Sequence, residues 1–391
     1  MLLLLFALAG IDGAWHAAVH YPTGERVPFS LELRRHANGW EGNLVNGEDR
    51  VPSSLGSFDG KTLRLPFPEW DGVLEATLHD NQWKGTFTRQ RGKVILVRPF
   101  EAAREPVLTP TARPNIDVGG EWILEVDNNG KPQVWRAVFQ QQGAKLQGTL
   151  LPVSGDSGLL LGFVENDTIH AGRFDGIRAS LIEARLTDAG VLAGKIDGTM
   201  PFRAKRAAQA VVQPPDAATY TRMKNPTEPF RLPIPGWQDK LKGKAVLVSI
   251  MGSWCPNCHE EMPLLLELYN RYRGQGFEII SLGFEYTGEK ERDERMLRLF
   301  VDKYKVPWPV LYAGSTEDAP TILGQLENFG AYPTSIYIGR DGLVKAVHAG
   351  FDGPSTGARH EQLKQHIREQ VNKLVNAHER AVQLRNLRLA R

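Results

Sequence analysis

The spacing of apolar residues changes character part-way along the chain. Up to about residue 206, short runs alternate apolar with polar, as in FSLEL (Phe29 to Leu33) and TLRL (Thr62 to Leu65), and turn pairs such as Asp59-Gly60, Asp71-Gly72 and Asn129-Gly130 break them. A period of two with such turns predicts antiparallel β-hairpins with one buried face. Beyond about residue 230 the pattern differs. AVLVSIM (Ala245 to Met251) is unbroken and apolar, as a strand covered on both faces requires. PLLLELYNRY then has helical spacing, FEIISLGF reads as a second buried strand, and ERDERMLRLFVDKY as a charged amphipathic helix. Strand, helix, strand, helix implies a parallel sheet in an α/β layer arrangement. SIYIG, the turn RDG and LVKAVHAG add a hairpin, and a long helix is expected from about Arg359.

The alternating half repeats itself. GIDGAW (Gly10 to Trp15) returns as NIDVGGEW (Asn115 to Trp122), and GWEGNL (Gly39 to Leu44) returns as AKLQGTL (Ala144 to Leu150). LGSFDGKTLRL matches LGFVENDTIHA, LEATLHDNQWKGTF matches IEARLTDAGVLAGKI, and the copies close on RPFEA and PFRA. A period of about 106 residues is too long for a solenoid and fits two copies of a complete small domain, each a barrel or sandwich of seven or eight strands. The expected organisation is a β-domain at 11–103, a Pro-rich linker at 104–115, a second β-domain at 116–206, a linker at 207–229 and an α/β domain at 230–391. Pro-rich linkers of this kind predict few contacts across the boundaries.

Composition narrows the function. The 391 residues carry Lys+Arg 47 against Asp+Glu 45 with no long single-sign run, so attraction to nucleic acid is not indicated. The start, MLLLLFALAG, resembles the apolar core and cleavage end of a signal peptide without its basic leader. At about ten residues it is well short of the roughly 20 that a spanning helix needs, so residues 1–10 are expected to be the remnant of an export signal rather than an anchor.

Only two cysteines occur, Cys255 and Cys258, in GSWCPNCHEEMP. A structural zinc site wants four ligands, and one pair with the adjoining His259 does not supply them, so no metal is expected. A staple between residues so close in sequence restricts the unfolded chain very little. Redox use fits the position best: a strand end running into a helix start puts Cys255 against the helix's positive pole, which favours a thiolate. Cys255 is then the more exposed, attacking sulfur, and Cys258, one turn on and buried, resolves the mixed disulfide.

These residues carry a resemblance. From about Phe230 to Ala377 the chain resembles the thioredoxin fold, and more narrowly the TlpA/ResA-type exported disulfide reductases, through LKGKAVLVSIMGSWCPNCHEEMP with its W-C-P-x-C and E-M-P. The repeated half carries no such resemblance. The likeness implies that YPTSIYI places a cis proline, Pro333, beside the cysteines, with the backbone of Tyr332 offered to a substrate strand. It implies that Trp254 flanks the reactive sulfur, that Pro256 and Asn257 sit between the cysteines, and that Pro263 kinks the helix. Glu285, in LGFEY, matches the glutamate those reductases hold near the cysteines, where it could accept the Cys258 proton. The chain departs from the pattern at Ser249, where thioredoxin has a buried acid and the TlpA/ResA group usually Asn, at Ile250 to Gly252 in place of F-W-A, and in the bulk of Tyr332.

The expected activity is that of an exported, periplasmic or otherwise extracytoplasmic thiol-disulfide oxidoreductase, which reduces protein disulfides with the Cys255/Cys258 couple and no other cofactor. Its partners would be a disulfide-bearing protein and a membrane-bound or exported thiol donor. The alternative is a ligand-binding or scaffold protein whose β-domains hold a partner and whose thioredoxin-like part serves as a docking module.

Overall fold

A computed structural model describes residues 10–389, with side chains through residue 376. The expected signal remnant, apart from Gly10, lies outside the described residues. No described helix is long and apolar enough to cross a membrane.

The alternating half forms two β-units, as its period-two pattern requires. In the first, nine antiparallel strands make one curled sheet, in which Gly13–His20 pairs with both Arg26–His36 and Val94–Ala103. A reciprocal pair of hydrogen bonds between Trp40 and Gly56, 3.1 and 2.7 Å, draws the sheet together. Only glycine fits at position 56, because a Cβ there would meet the carbonyl oxygen of Arg64 at 2.0 Å. The second unit is a closed barrel of eight antiparallel strands, sealed where Met200–Arg206 pairs with Gly120–Asn128.

One corner recurs in both units. The Trp15 indole donates to Ile11 O (2.9 Å) and the Trp122 indole to Val118 O (2.8 Å). A guanidinium from the end of the same unit then lies over each ring, Arg104 at 3.9 Å and Arg206 at 4.5 Å, and donates to the carbonyls of the incoming chain. Each corner thus satisfies its buried indole while tying the chain's entry to its exit.

The α/β part is built on strand β1 (Ala245–Met251), all seven residues of which are buried. It leads into helix α1 (Pro256–Tyr272), strand β2 (Phe277–Glu285), helix α2 (Lys290–Tyr304) and strand β3 (Val310–Ser315). Strands β4 (Thr334–Ile338) and β5 (Val344–Ala349) and helix α3 (Ala358–Leu389) complete it. The sheet order is β3-β2-β1-β4-β5, with β1, β2 and β3 parallel and β4 and β5 antiparallel to their neighbours. Alternation along β1 divides the core: Ala245, Leu247 and Met251 face the layer of α1, α2 and α3, while Val246, Val248 and Ile250 face a second core.

That second core changes the expected boundary. Met223 and Phe230 belong to it, and Arg222–Met223 pairs as a strand with Leu326–Glu327. The latter part of the segment read as a linker at 207–229 is therefore an integral edge of the α/β domain; its prolines and polar residues concealed Met223, whereas Phe230 stood at the expected start of that domain.

The units do not sit apart either. Phe174 of the barrel inserts into the first unit's aromatic cluster, 5.0 Å from Phe29 and 4.9 Å from Phe87. Asn46 reaches across to both backbone groups of Phe174. Against the α/β domain, Trp70 of the first unit stands edge-on to His259 at 4.8 Å, while Glu69 and Asp71 pair with Lys303 and Arg292 of α2. Asp156 of the barrel accepts from Gly353 N–H (2.6 Å), from Ser355 and from the Asn257 amide (3.3 Å). Gly155 forms a parallel bridge with Phe351, at a distance only glycine permits, since a Cβ would lie 2.1 Å from Phe351 O. The expectation of few cross-boundary contacts fails because scattered residues make them, polar ones such as Asp156 and single aromatics such as Phe174 and Trp70, and no apolar stripe announces them.

Asp156 is buried and leaves several donors unpartnered when removed. Asp156→Ala should lower stability by roughly 2 to 4 kcal/mol, read as a lower denaturant midpoint together with faster proteolysis between the barrel and residue 230. An unchanged midpoint and unchanged cleavage would show that the barrel is held elsewhere.

Candidate functional site

Strand β1 ends beneath the cysteines, and α1 begins at them. Cys255 is the N-cap of α1 in extended conformation, Pro256 occupies the first helical position where its missing N–H costs nothing, and the Cys255 sulfur accepts the N–H of Cys258 at 3.2 Å. Both cysteines are free thiols. The Cys255 thiol donates to Tyr332 O at 3.3 Å, and the Tyr332-Pro333 bond is cis, so the expected proline stands beside the Cys255 sulfur. Pro333 O is engaged by Gly350 N–H at 2.7 Å.

One expectation about Cys255 needs correction. It is not the more exposed sulfur: its exposure is 0%, against 2% for Cys258. The two cysteines share an apolar cluster with Trp254, Tyr332 and Phe351, and the barrel bridges to Phe351. The barrel packs against this helix start, where Gly155 bridges to Phe351 and Asp156 accepts from Asn257.

Trp254 flanks the site, with its indole donating to Phe284 O at 2.9 Å. Its ring lies on Tyr286 at 4.2 Å and edge-on to Tyr332 at 5.2 Å. Asn257 turns away from the sulfurs. Its amide donates to Asp156 O and Phe351 O, both at 3.0 Å, and its carbonyl accepts from Arg178 at 3.3 Å. An intervening residue of the cysteine pair is thus part of the barrel interface.

Two buried carboxyls lie in the site. Glu285 accepts from Ser253 N–H (2.7 Å) and from the Ser253 hydroxyl (2.8 Å), and so fastens the turn that enters the cysteines. Burial pushes its pKa up to about 8, against the pull of the two Ser253 donors. Glu261, one turn beyond Cys258 on α1, accepts from Ser335 at 3.1 Å, and burial raises it to about 7. The Cys258 thiol is itself pushed well above its ordinary value, first by burial, then by the Cys255 sulfur, with the charge of Glu261 adding to the shift.

Glu261 is the residue that sequence reasoning missed. It stands in the E-M-P motif as the second glutamate of HEEMP, and its i+3 spacing from Cys258 on a helix was the available signal. Its partner Ser335 is in register with Ser249 of β1, so the helix supplies the buried carboxyl absent from the strand at Ser249. His259 is also part of the scaffold. Nε2 faces Ser253 O at 2.7 Å and must carry the proton, so Nδ1 accepts from the Tyr304 hydroxyl at 2.9 Å. Burial and then Lys303 lower it to about 3, which keeps it neutral.

Residues 236–365 match the Redoxin family. Among curated proteins, the thiol-disulfide oxidoreductase ResA of Bacillus cereus (strain ZK / E33L) is 38% identical over 104 residues, covering 27% of this chain and 54% of the relative. ResA of Halalkalibacterium halodurans is 31% identical over 113 residues, 28% of this chain and 57% of the relative. The chain therefore spans about half the length of these curated relatives. Among solved structures, a thiol:disulfide interchange protein from Bacteroides sp. is 23% identical, with a TM-score of 0.26 over 34% of this chain and 77% of the other. A secreted Mycobacterium tuberculosis disulfide oxidoreductase is 18% identical, with a TM-score of 0.27 over 35% of this chain and 86% of the other. With its β1-α1-β2 core, its cysteine pair at a helix start and its cis proline, the C-terminal part of the chain has a thioredoxin-like fold, matches the Redoxin family over residues 236–365, and is similar to the ResA thiol-disulfide oxidoreductases.

Proposed function

We propose that the protein is an exported thiol-disulfide oxidoreductase that reduces protein disulfides through Cys255 and Cys258. The observation that carries this reading is the Cys255 sulfur, capped by Cys258 N–H at 3.2 Å and held 3.3 Å from the carbonyl before a cis proline. The Cys255 thiolate attacks a substrate sulfur, the substrate S–S bond breaks, and one substrate thiolate leaves. Cys258 then loses its proton and attacks the Cys255 sulfur, which closes the internal disulfide and frees the second substrate thiol. A raised Cys258 keeps the resolving thiol quiet until a base takes its proton, and Glu261 is the buried carboxyl whose charge bears on it. Glu285 acts through Ser253 as a positioning residue for the turn before Cys255.

An external thiol donor restores the dithiol, and an extracytoplasmic location accords with the apolar start of the chain. The β-units contain no cysteine, so they contribute by holding a partner and by covering the site; their matching Trp-Arg corners support descent from one duplicated domain.

The order of attack has a direct test on non-reducing gels. Cys258→Ser should trap a mixed disulfide with an added disulfide-bearing protein, and Cys255→Ser should trap none. Trapping by Cys255→Ser alone would reverse the roles.

For Glu261, replacement by Gln should slow resolution of the mixed disulfide about tenfold or more near pH 7, and should flatten the rise of that rate around the glutamate's value of about 7. A variant with the parent pH profile would exclude Glu261 as the base.

Glu285 also makes a stability prediction. Its folded value of about 8 lies above the ordinary 4.5, so its contribution is full below 4.5 and is lost as pH rises through 8. The parent should lose up to roughly 1 kcal/mol per pH unit across that window, and Glu285→Gln should lose less. Denaturant midpoints measured at a series of pH values decide it, and equal slopes would place the ionisation elsewhere.

A further inference from the structure

The hairpin that joins Gln82–Arg91 to Val94–Ala103 in the first β-unit carries a strand edge without a partner. The strand Gly13–His20 takes up the outer side of Val94–Ala103 from Phe100 to Ala103, and among the described residues no strand pairs with that side between Val94 and Pro99. One hydrogen bond gives the direction of the free groups. Gln90 N–H donates to Asp71 O at 3.3 Å, on the side of the neighbouring strand Gly72–His79, so Gln90 and its cross-strand partner Ile95 are a non-hydrogen-bonded pair. Ile95 and, two residues on, Val97 therefore turn both N–H and C=O to the open side. Val94, Ile95 and Val97 are 59%, 62% and 56% exposed, and they make up half of the large apolar residues left exposed among the described residues.

An apolar strand edge left open is a template for other strands, and folded proteins blunt such edges with charge, proline or cover. The run V-I-L-V between Lys93 and Arg98 has neither charge nor proline. It also adjoins the cysteine site. A Cβ at Gly92, in the hairpin turn, would lie 3.2 Å from Tyr286 O; Arg91 stands 5.6 Å from the centre of the Tyr286 ring, and that ring lies 4.2 Å from Trp254, the neighbour of Cys255. Val94 and Leu96 point to the other face from Ile95 and Val97, and they line a cleft of about 980 Å³ whose far wall includes Tyr286, Thr287 and Thr316. Charges of both signs border the cleft, Arg91 and Lys93 as well as Glu289, Glu317 and Asp318, so net charge selects no occupant. The edge does select one. Backbone groups repeating at every second residue are matched by an extended backbone, and apolar side chains on both faces by apolar neighbours.

We propose that the edge from Val94 to Val97 docks an extended, apolar segment of the disulfide-bearing polypeptide, which adds to the sheet as a further strand and brings its disulfide to the Tyr286 and Trp254 wall. The inference rests on the dithiol reading above and names its substrate class: unfolded or loosely folded proteins with an apolar stretch close to a cysteine. Main-chain bonds of this kind hold any sequence that can extend, and the side-chain contacts favour β-branched and aliphatic residues. So short an edge offers well under the roughly 800 Å² per partner that a lasting protein pair buries, which suits a substrate that must leave better than a second copy of the chain. The sulfur chemistry is unchanged. One enzyme dithiol becomes a disulfide, and one substrate disulfide becomes two thiols.

The test uses the pre-reduced full-length protein in single turnover, with no other reductant, on two disulfides that release the same nitrothiobenzoate chromophore. One is 5,5′-dithiobis(2-nitrobenzoate); the other is the mixed disulfide of nitrothiobenzoate with the cysteine of a short peptide of alternating valine and threonine. The ratio of their rates cancels any change in the enzyme thiolate itself. Ile95→Pro and Val97→Pro each delete one N–H of the open side and none of the ladder, so the melting temperature should stay near the parent's. Both should lower the peptide-to-small rate ratio, measured below saturation, about tenfold. Ile95→Thr keeps the N–H and should lower it less than about threefold. The same peptide with its amides N-methylated should show the tenfold loss (about one decade) on the parent chain, a reading that needs no variant to fold. A ratio unchanged within about twofold in both proline variants and with the methylated peptide would overturn the docking edge. A parent dimer that Ile95→Pro dissociates in sedimentation would overturn it too, by giving the edge to a second copy. Should neither disulfide react, the dithiol reading falls, and fluorescence anisotropy of a labelled peptide with serine in place of its cysteine still decides the edge: binding weakened about tenfold by Ile95→Pro supports it, and binding absent or equal in both chains refutes it.

Discussion

The first turn of α1 has to satisfy two partners at once, and much of the rest of the structure follows from that. On one side it presents Cys255 to the cis-proline loop; on the other, Asn257 and His259 are gripped by the barrel and by the first β-unit. The grip is polar and directional. Asp156 holds the Gly353 amide, Ser355 and Asn257 together, and the backbones at Gly155 and Phe351 approach so closely that no side chain fits between them. Because hydrogen bonds of this kind are made or lost as a set, the barrel has a defined seat on the cysteine site rather than a loose resting place.

Burial at this seat sets the electrostatics. Two carboxyls, a thiol and an imidazole all lose their water, and each shifts toward its neutral form: Glu261 and Glu285 upward into the neutral range, Cys258 upward, His259 downward. Carboxyls that titrate near neutral pH are part protonated and part ionised there and so can both give and take a proton, which a solvated glutamate at a strand end does not do at that pH. These four groups are therefore kept nearly uncharged within the site.

How legible this was in the sequence depends on what kind of signal each feature leaves. The α/β core is written in β1, where six apolar residues and one serine run on without a charge, as a strand covered on both faces requires, and the cysteine pair is written in its place after that strand. The period-two runs announced antiparallel β-units, and eight strands close into a barrel as that pattern allows. Glu261 was visible as a letter but not as a buried acid, because a lone carboxyl on an amphipathic helix reads as solvated until its depth is known. The interface left almost no trace, since Asp156, Gly155 and Asn257 are ordinary loop residues whose roles exist only once 101 residues of separation between Asp156 and Asn257 have been folded away. Likewise Met223 is one buried apolar residue in a proline-rich stretch, too little to signal the core edge it forms.

The double duty of Asn257 couples two equilibria that are separate in a free-standing domain of this fold. The residues between two such cysteines influence how well the first sulfur is stabilised, and here one of them is also a clamp on the barrel. In the dithiol reading proposed above, closing a bond between Cys255 and Cys258 acts on the very turn that carries the clamp. Whatever free energy the docked barrel lends to one oxidation state, that oxidation state returns to the docked barrel in equal measure. Electron content and domain arrangement are, in this chain, two coordinates of a single thermodynamic cycle.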